Sequence, residues 1–157
     1  MFKYDVIIVG ACTSGTYFSN LLALEGLKVL VIDKDKEEDL SKRLDIIHFT
    51  RDSYKEFNIE EAKDGDEDFV HNFTLVLSKS GTNEHPKREM IDVDVLHLPL
   101  FIKKLRKVAI SNGVEFKFNE SFDSLIYENE RIKGIKTKEG NEYYANMIVD
   151  ASGIPSV

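Results

Sequence analysis

The chain has a single cysteine, Cys12, among 157 residues. No disulfide can form within it, and the simple reading is a reducing, cytoplasmic setting. Tryptophan is absent and prolines number only three, so no proline-rich linker or low-complexity tract divides the chain. Cations are short: 21 lysines and arginines stand against 28 aspartates and glutamates, a formal net charge of −7. That balance argues against a nucleic-acid surface, which needs clustered cations to displace counterions. No apolar run approaches the roughly 18 residues of a membrane span. The opening Met1-Phe2-Lys3-Tyr4-Asp5 lacks the layout of a signal peptide. Insertion into a membrane is thereby excluded, while peripheral contact stays open. No internal repeat appears.

What is present is a strand–turn–helix–strand opening. Asp5-Val6-Ile7-Ile8-Val9 is short, apolar and β-branched, as a buried parallel strand is. Gly10 to Gly15 is a turn, and Ser14 to Glu25 reads as a helix with Phe18, Leu21 and Leu22 on an apolar stripe. Gly26 is placed to end it. Lys28-Val29-Leu30-Val31-Ile32-Asp33 is a second buried strand. From Lys34 to Asp68 charge dominates; Arg51 to Phe57 reads as a short helix and 64–68 as a solvated acidic turn. Phe73 to Ser78 and Arg88 to Val93 read as strands around a turn at 80–83. Pro99 suits the first turn of a helix that Asn112-Gly113 closes. Val114 to Phe118 is a strand. Phe122 to Tyr127, Ile132 to Lys136 and Tyr143 to Ala145 form a meander, and Met147 to Asp150 is a last, separate strand.

Gly10-Ala11-Cys12-Thr13-Ser14-Gly15 has the length and terminal glycines of the G-x-G-x-x-G fingerprint. Gly10 must turn sharply off the strand, and Gly15 must let the helix approach the sheet. Between them the backbone meets a pyrophosphate at the helix N-terminus, where N–H groups and the dipole favour an anion. Thr13 and Ser14 add hydroxyl donors. Cys12 replaces the middle glycine, a departure where backbone and phosphate come nearest. Asp33 ends the second strand, in the place of the acid that accepts hydrogen bonds from the adenosine ribose. These residues predict a dinucleotide site, and the opening alone fits either FAD or NAD.

The order of elements after Asp33 departs from a plain NAD domain. It resembles the FAD domain of the glutathione reductase-type fold, in its geranylgeranyl reductase and p-hydroxybenzoate hydroxylase branch. Asp5 to Gly10, Gly113-Val114-Glu115, Ile132-Lys133-Gly134-Ile135 and Ile148-Val149-Asp150-Ala151-Ser152-Gly153 carry the resemblance; residues 35–95 match weakly. It implies an α/β, Rossmann-like FAD/NAD(P)-binding domain over 1–157, with a parallel sheet and a three-stranded β-meander, incomplete at the C-terminus because the family's third, Gly-Asp motif lies further on. Residues 64–94 would be the first strands of a substrate-binding subdomain. Gly10, Cys12, Thr13, Ser14 and Gly15 would line the FAD pyrophosphate, Asp33 would hold the ribose with Lys34 beside it, Arg43 would lie near the cofactor, and Ala151 and Gly153 would pass close to it. The family's arginine near the start of the long helix is missing from His97-Leu98-Pro99-Leu100.

The function so implied is electron transfer through FAD to or from a small organic or isoprenoid substrate, with NAD(P)H or a ferredoxin-type donor. The alternatives are an FAD-dependent monooxygenase, and a non-catalytic dinucleotide-binding module or inactive fragment. The four histidines, His48, His71, His85 and His97, show no metal-ligand spacing. Cys12 at a helix N-terminus has the setting of a reactive thiol, yet a small loop-lining residue is the simpler reading. No catalytic side chain is assigned, because the isoalloxazine ring carries the electrons.

Overall fold

A computed structural model describes residues 4–40, 46–78, 88–154 and 156–157. The chain divides into two compact units, one formed by residues 1–41 and 102–157 and the other by residues 42–101.

The first unit is built on a six-stranded sheet. β1 (Tyr4–Val9) lies at its centre, flanked by β2 (Val29–Asp33) and β9 (Glu142–Asp150), both parallel to it. β6 (Glu115–Phe118) extends the parallel part beyond β2. β8 (Arg131–Thr137) and β7 (Phe122–Glu128) continue it antiparallel beyond β9, giving the order β6-β2-β1-β9-β8-β7. Apart from Asp5 and Asp33, β1 and β2 are apolar and buried, as strands covered on both faces must be. Tyr4, Ile7, Val9, Leu30 and Ile32 cluster with Ile135 and Ala145, and Phe122, Leu125, Tyr143 and Ile148 pack against them. The meander thus supplies part of the same core. Its tight reversal at Asn129 and Glu130 uses positive φ at both residues, 50° and 63°.

Two sequence expectations are corrected in this unit. The third meander strand and the last strand are one strand, β9, which changes partner: 142–144 pair with β8 and 145–150 with β1. The polar Asn146 that separates them in sequence is merely an exposed strand position. The second correction concerns α1 (Thr13–Leu24). Its buried residues are Gly15, Thr16 and Ser19, whereas Phe18 and Leu21 are 39% and 38% exposed. A helix that lies close on β1 and β2 must turn its smallest side chains inward. Thr16 and Ser19 make this possible by returning their hydroxyls to the backbone oxygens of Ala11 and Thr16, each at 2.7 Å.

The second unit is a three-stranded antiparallel sheet, β3-β5-β4. β3 (Ile46–Thr50) is a strand that the charged stretch 34–68 conceals in sequence; α2 (Arg51–Glu56), β4 (Phe69–Ser78) and β5 (Arg88–His97) follow. Both β4 and β5 run longer than the 73–78 and 88–93 read from the sequence. Phe49 packs on Tyr54 and Phe101, with ring centroids 4.7 and 5.5 Å apart. The fully buried Asp94 is held by Arg51, Nε to Oδ1 3.3 Å, and burial together with that carboxylate raises the Tyr54 phenol above its ordinary pKa. α3 (Leu98–Ser111) begins in this unit's segment and continues into the first.

Candidate functional site

The first unit brings most of the expected residues to one edge, where the parallel strands end. Gly10 leaves β1 with φ of 110°, a conformation that a side chain would strain. Space excludes a side chain there as well. A Cβ on Gly10 would run into the Ala151 carbonyl, and a Cβ on Gly15 would land on the Gly10 carbonyl, with the Ala151 Cβ 3.4 Å away. Ala151 is fixed by its N–H donating to the Val9 oxygen at 2.8 Å. The two loop glycines are therefore required by each other and by the end of β9.

Cys12 precedes α1 with φ of −76° and ψ of −166°. This is ordinary extended backbone, open to any residue, so the middle position of the fingerprint carries no conformational demand for glycine. The Cys12 thiol is in no disulfide and is exposed, 4.0 Å from the Thr13 hydroxyl. Ser14 is exposed and Thr13 half-buried. No side chain caps the helix, so its first N–H groups, which have no carbonyl upstream to bond, face the space where an anion is favoured.

Asp33 is bound into this loop. Its Oδ2 accepts from the Ala11 N–H at 2.7 Å and its Oδ1 from the Asp35 N–H at 2.9 Å. A carboxylate has about four acceptor positions, so both oxygens retain capacity for ribose hydroxyls. Lys34 beside it is exposed. Gly153 is exposed with φ of 94°. Asp150 accepts from the Ser152 N–H and hydroxyl at 2.9 and 2.6 Å; those bonds hold its pKa below the ordinary carboxylate value. Arg43 lies outside the described residues, as do His85 and the expected turn at 80–83. Sequence reasoning missed two parts of the site, the Ala11 N–H that binds Asp33 and the Thr16 hydroxyl beneath the loop. A threonine immediately after the fingerprint, on the inward face of its helix, was the available signal. Among the described residues no group of three His, Cys, Asp or Glu side chains is placed to hold a metal.

The FAD binding domain family matches residues 3–156. The chain belongs to that family. The geometry agrees with it independently: two glycines that no Cβ can replace, an uncapped helix start and an acid beside the loop form a cradle for a dinucleotide. Digeranylgeranylglycerophospholipid reductase of Haloferax volcanii is 28% identical over 96% of this chain, and the match covers 36% of the reductase. The enzyme of the same name from Methanocella arvoryzae is 28% identical over 98% of the chain and 40% of its own length. Squalene epoxidase 2 of Arabidopsis thaliana is 30% identical over 88% of the chain and 25% of the epoxidase. The chain therefore spans well under half the length of these relatives. Among solved structures, a geranylgeranyl bacteriochlorophyll reductase-like protein from Thermoplasma acidophilum superposes with a TM-score of 0.72 at 23% identity, over 96% of this chain and 39% of that one. A halogenase crystallised with phloroglucinol and FAD gives 0.72 at 18%, over 98% and 35%. These two likenesses establish the fold. Among the described residues no helix is long and apolar enough to cross a membrane.

Proposed function

We propose that this chain is the cofactor-holding part of a flavin-dependent oxidoreductase of the geranylgeranyl reductase-like kind, which passes electrons through FAD to or from a small isoprenoid or other organic substrate. The observation that carries the reading is the loop: Gly10 and Gly15 closed on Ala151, with Asp33 bound to Ala11. In this reading the N–H groups around Cys12, Thr13 and Ser14 hold the pyrophosphate, and Asp33 accepts from the ribose with Lys34 beside it. Ala151 and Gly153 bound the cofactor from the end of β9, and Arg43 completes the set. Bound FAD supplies two-electron chemistry through its isoalloxazine ring; the residues named here bind and orient it. The reductase relatives support an isoprenoid substrate, with NAD(P)H or a ferredoxin-type protein as donor. The three-stranded sheet of residues 42–101 is the start of the substrate-binding part, a larger segment than the 64–94 expected. A reducing, cytoplasmic setting belongs to the same proposal and rests on the lone thiol.

Titrating the purified chain with FAD and with NAD, followed by flavin and protein fluorescence, tests the cofactor assignment. Saturable FAD binding with weaker NAD binding is expected; tight NAD binding without flavin affinity overturns it. The squalene epoxidase relative favours one second reading, an oxygen-using monooxygenase. Product formation by the full-length protein under strict anaerobiosis supports the reductase, and strict dependence on oxygen supports the monooxygenase.

A further inference from the structure

The exit of β2 has a second set of fastenings that the cofactor loop does not explain. β2 pairs with β6, so Asp33 lies directly beside Phe118, and matched positions on parallel strands point to the same face. The guanidinium of Arg106, on α3, lies over the Phe118 ring, 5.4 Å from its centroid. Arg106 is only 5% exposed. Its Nη2 donates to Glu37 Oε1 at 2.8 Å. Glu37 opens a one-turn 3₁₀ helix, Glu37–Asp39, just past Lys34. The backbone between is tied to β6 by the Glu120 N–H on the Asp33 oxygen at 2.9 Å and the Asn119 N–H on the Asp35 oxygen at 3.2 Å.

Burying a guanidinium sacrifices hydration that one ion pair does not fully restore, and an apolar side chain of similar size fills such a place at lower cost. A buried arginine here therefore calls for a reason beyond packing. Its position supplies one. A dinucleotide with its pyrophosphate at the end of β1 and its ribose on Asp33 would run from β1 across β2 along the sheet edge. That direction leads to the ends of β2 and β6, and so to Phe118 and residues 34–37.

We propose that Arg106 is a positioning residue for the adenosine half of the cofactor. Through Glu37 it fixes the segment that leaves Asp33, and through its stack it fixes Phe118, so both walls beside the ribose anchor are set before the cofactor arrives. The inference rests on the FAD reading above. Without the clamp, those side chains must be ordered at the moment of binding, at the expense of affinity.

The test uses the full chain and three probes: FAD, ADP and inorganic pyrophosphate. Glu37→Gln alters only the half-exposed partner and leaves the buried arginine in place; Arg106→Met removes the cation, and Arg106→Lys restores charge without the planar fork. For Glu37→Gln and Arg106→Met the expected result is an equal loss for FAD and ADP, about three- to tenfold, which is the cost of ordering one or two loosened side chains. Pyrophosphate binding stays unchanged, and Arg106→Lys recovers part of the loss. A folded Glu37→Gln variant that binds ADP as tightly as wild type overturns the inference. So does an equal loss for pyrophosphate, which marks general loosening of the loop. Failure of the wild-type chain to bind either FAD or ADP is the separate result that defeats the dinucleotide reading itself.

Discussion

Replacing Gly15 with alanine separates what the loop's shape does from what its glycines do for the chain. Gly15 lies in the first turn of α1 with no positive φ, so alanine suits its backbone, and in a helix alanine is favoured over glycine by about 1 kcal/mol. Only space forbids it. The new Cβ would overlap the Gly10 carbonyl oxygen and stand 3.1 Å from its carbon. Relief requires the helix start to move off the loop by roughly 1.5 Å to restore ordinary contact, at an overpacking cost of about 1–3 kcal/mol. Part of that is returned by propensity, leaving a net destabilisation of about 1 kcal/mol. The larger effect falls on the ligand. A shift of that size would pull the helix's first N–H groups away from a bound pyrophosphate, and hydrogen bonds to charged groups are worth about 1.5–3 kcal/mol each. Losing one lowers FAD affinity about ten- to a hundredfold. Gly26→Ala is the control: it meets nothing within 4 Å but has φ of 80°, so it costs stability through strain while lying outside the loop. Urea unfolding and FAD titration of both variants decide the matter. Gly15→Ala binding FAD like wild type, or Gly26→Ala losing as much affinity, refutes the reasoning.

Asp33→Ala removes the acceptor of the Ala11 N–H and the ribose anchor together, so FAD and ADP affinities should fall about tenfold or more, with pyrophosphate less affected, in calorimetric titration. Cys12→Gly should change FAD affinity less than about threefold, because the extended backbone there needs no glycine and the added chain freedom costs under 1 kcal/mol; a large gain in affinity would show that the thiol obstructs the phosphates. Gly134→Ala, whose Cβ would strike the Tyr143 carbonyl in the neighbouring strand, should destabilise the chain by about 1–3 kcal/mol in urea. For Asp150 the folded pKa is depressed by its bonds to Ser152, so its contribution is fully present above the unfolded value, about 3.9, and disappears as pH falls through the lower folded value. The difference in urea midpoint between wild type and Asp150→Asn should therefore be constant from pH 7 to 5, begin to shrink only near pH 4, and disappear once the pH is below the depressed folded value.

The central strands and the loop were legible because each obeys one local rule. Val6 to Val9 and Val29 to Ile32 are unbroken apolar runs, and the loop has its glycines where the turn and the close approach fall. α1 was misread because hydrophobicity alone assigns Phe18 and Leu21 to the inside, while contact with the sheet selects size and puts Thr16 and Ser19 there. β3 went unseen because its burial alternates while its sequence does not: the exposed Ile46 is as apolar as its half-buried neighbour Ile47. β9 read as two strands because the change of partner at Ala145 leaves no mark in composition. The clamp of Arg106 on Glu37 spans 69 residues, and nothing local in either segment announces it.

The same distance in sequence explains why the two glycines carry so much of the site. Gly10 is crowded because Ala151 stands against it, and Ala151 stands there because β9 pairs in parallel with β1, Val9 beside Asp150. The fingerprint at the start of the chain is thus completed by a strand some 140 residues later. Parallel pairing over such a separation must overcome loop-closure entropy before its contacts contribute, so the loop takes its final shape only when the sheet does. Cofactor affinity and sheet stability are then linked: a ligand that binds only the finished loop stabilises the β1–β9 pairing by mass action. The exposed Met147 and half-buried Val149 on β9 make that strand less covered than β1 or β2.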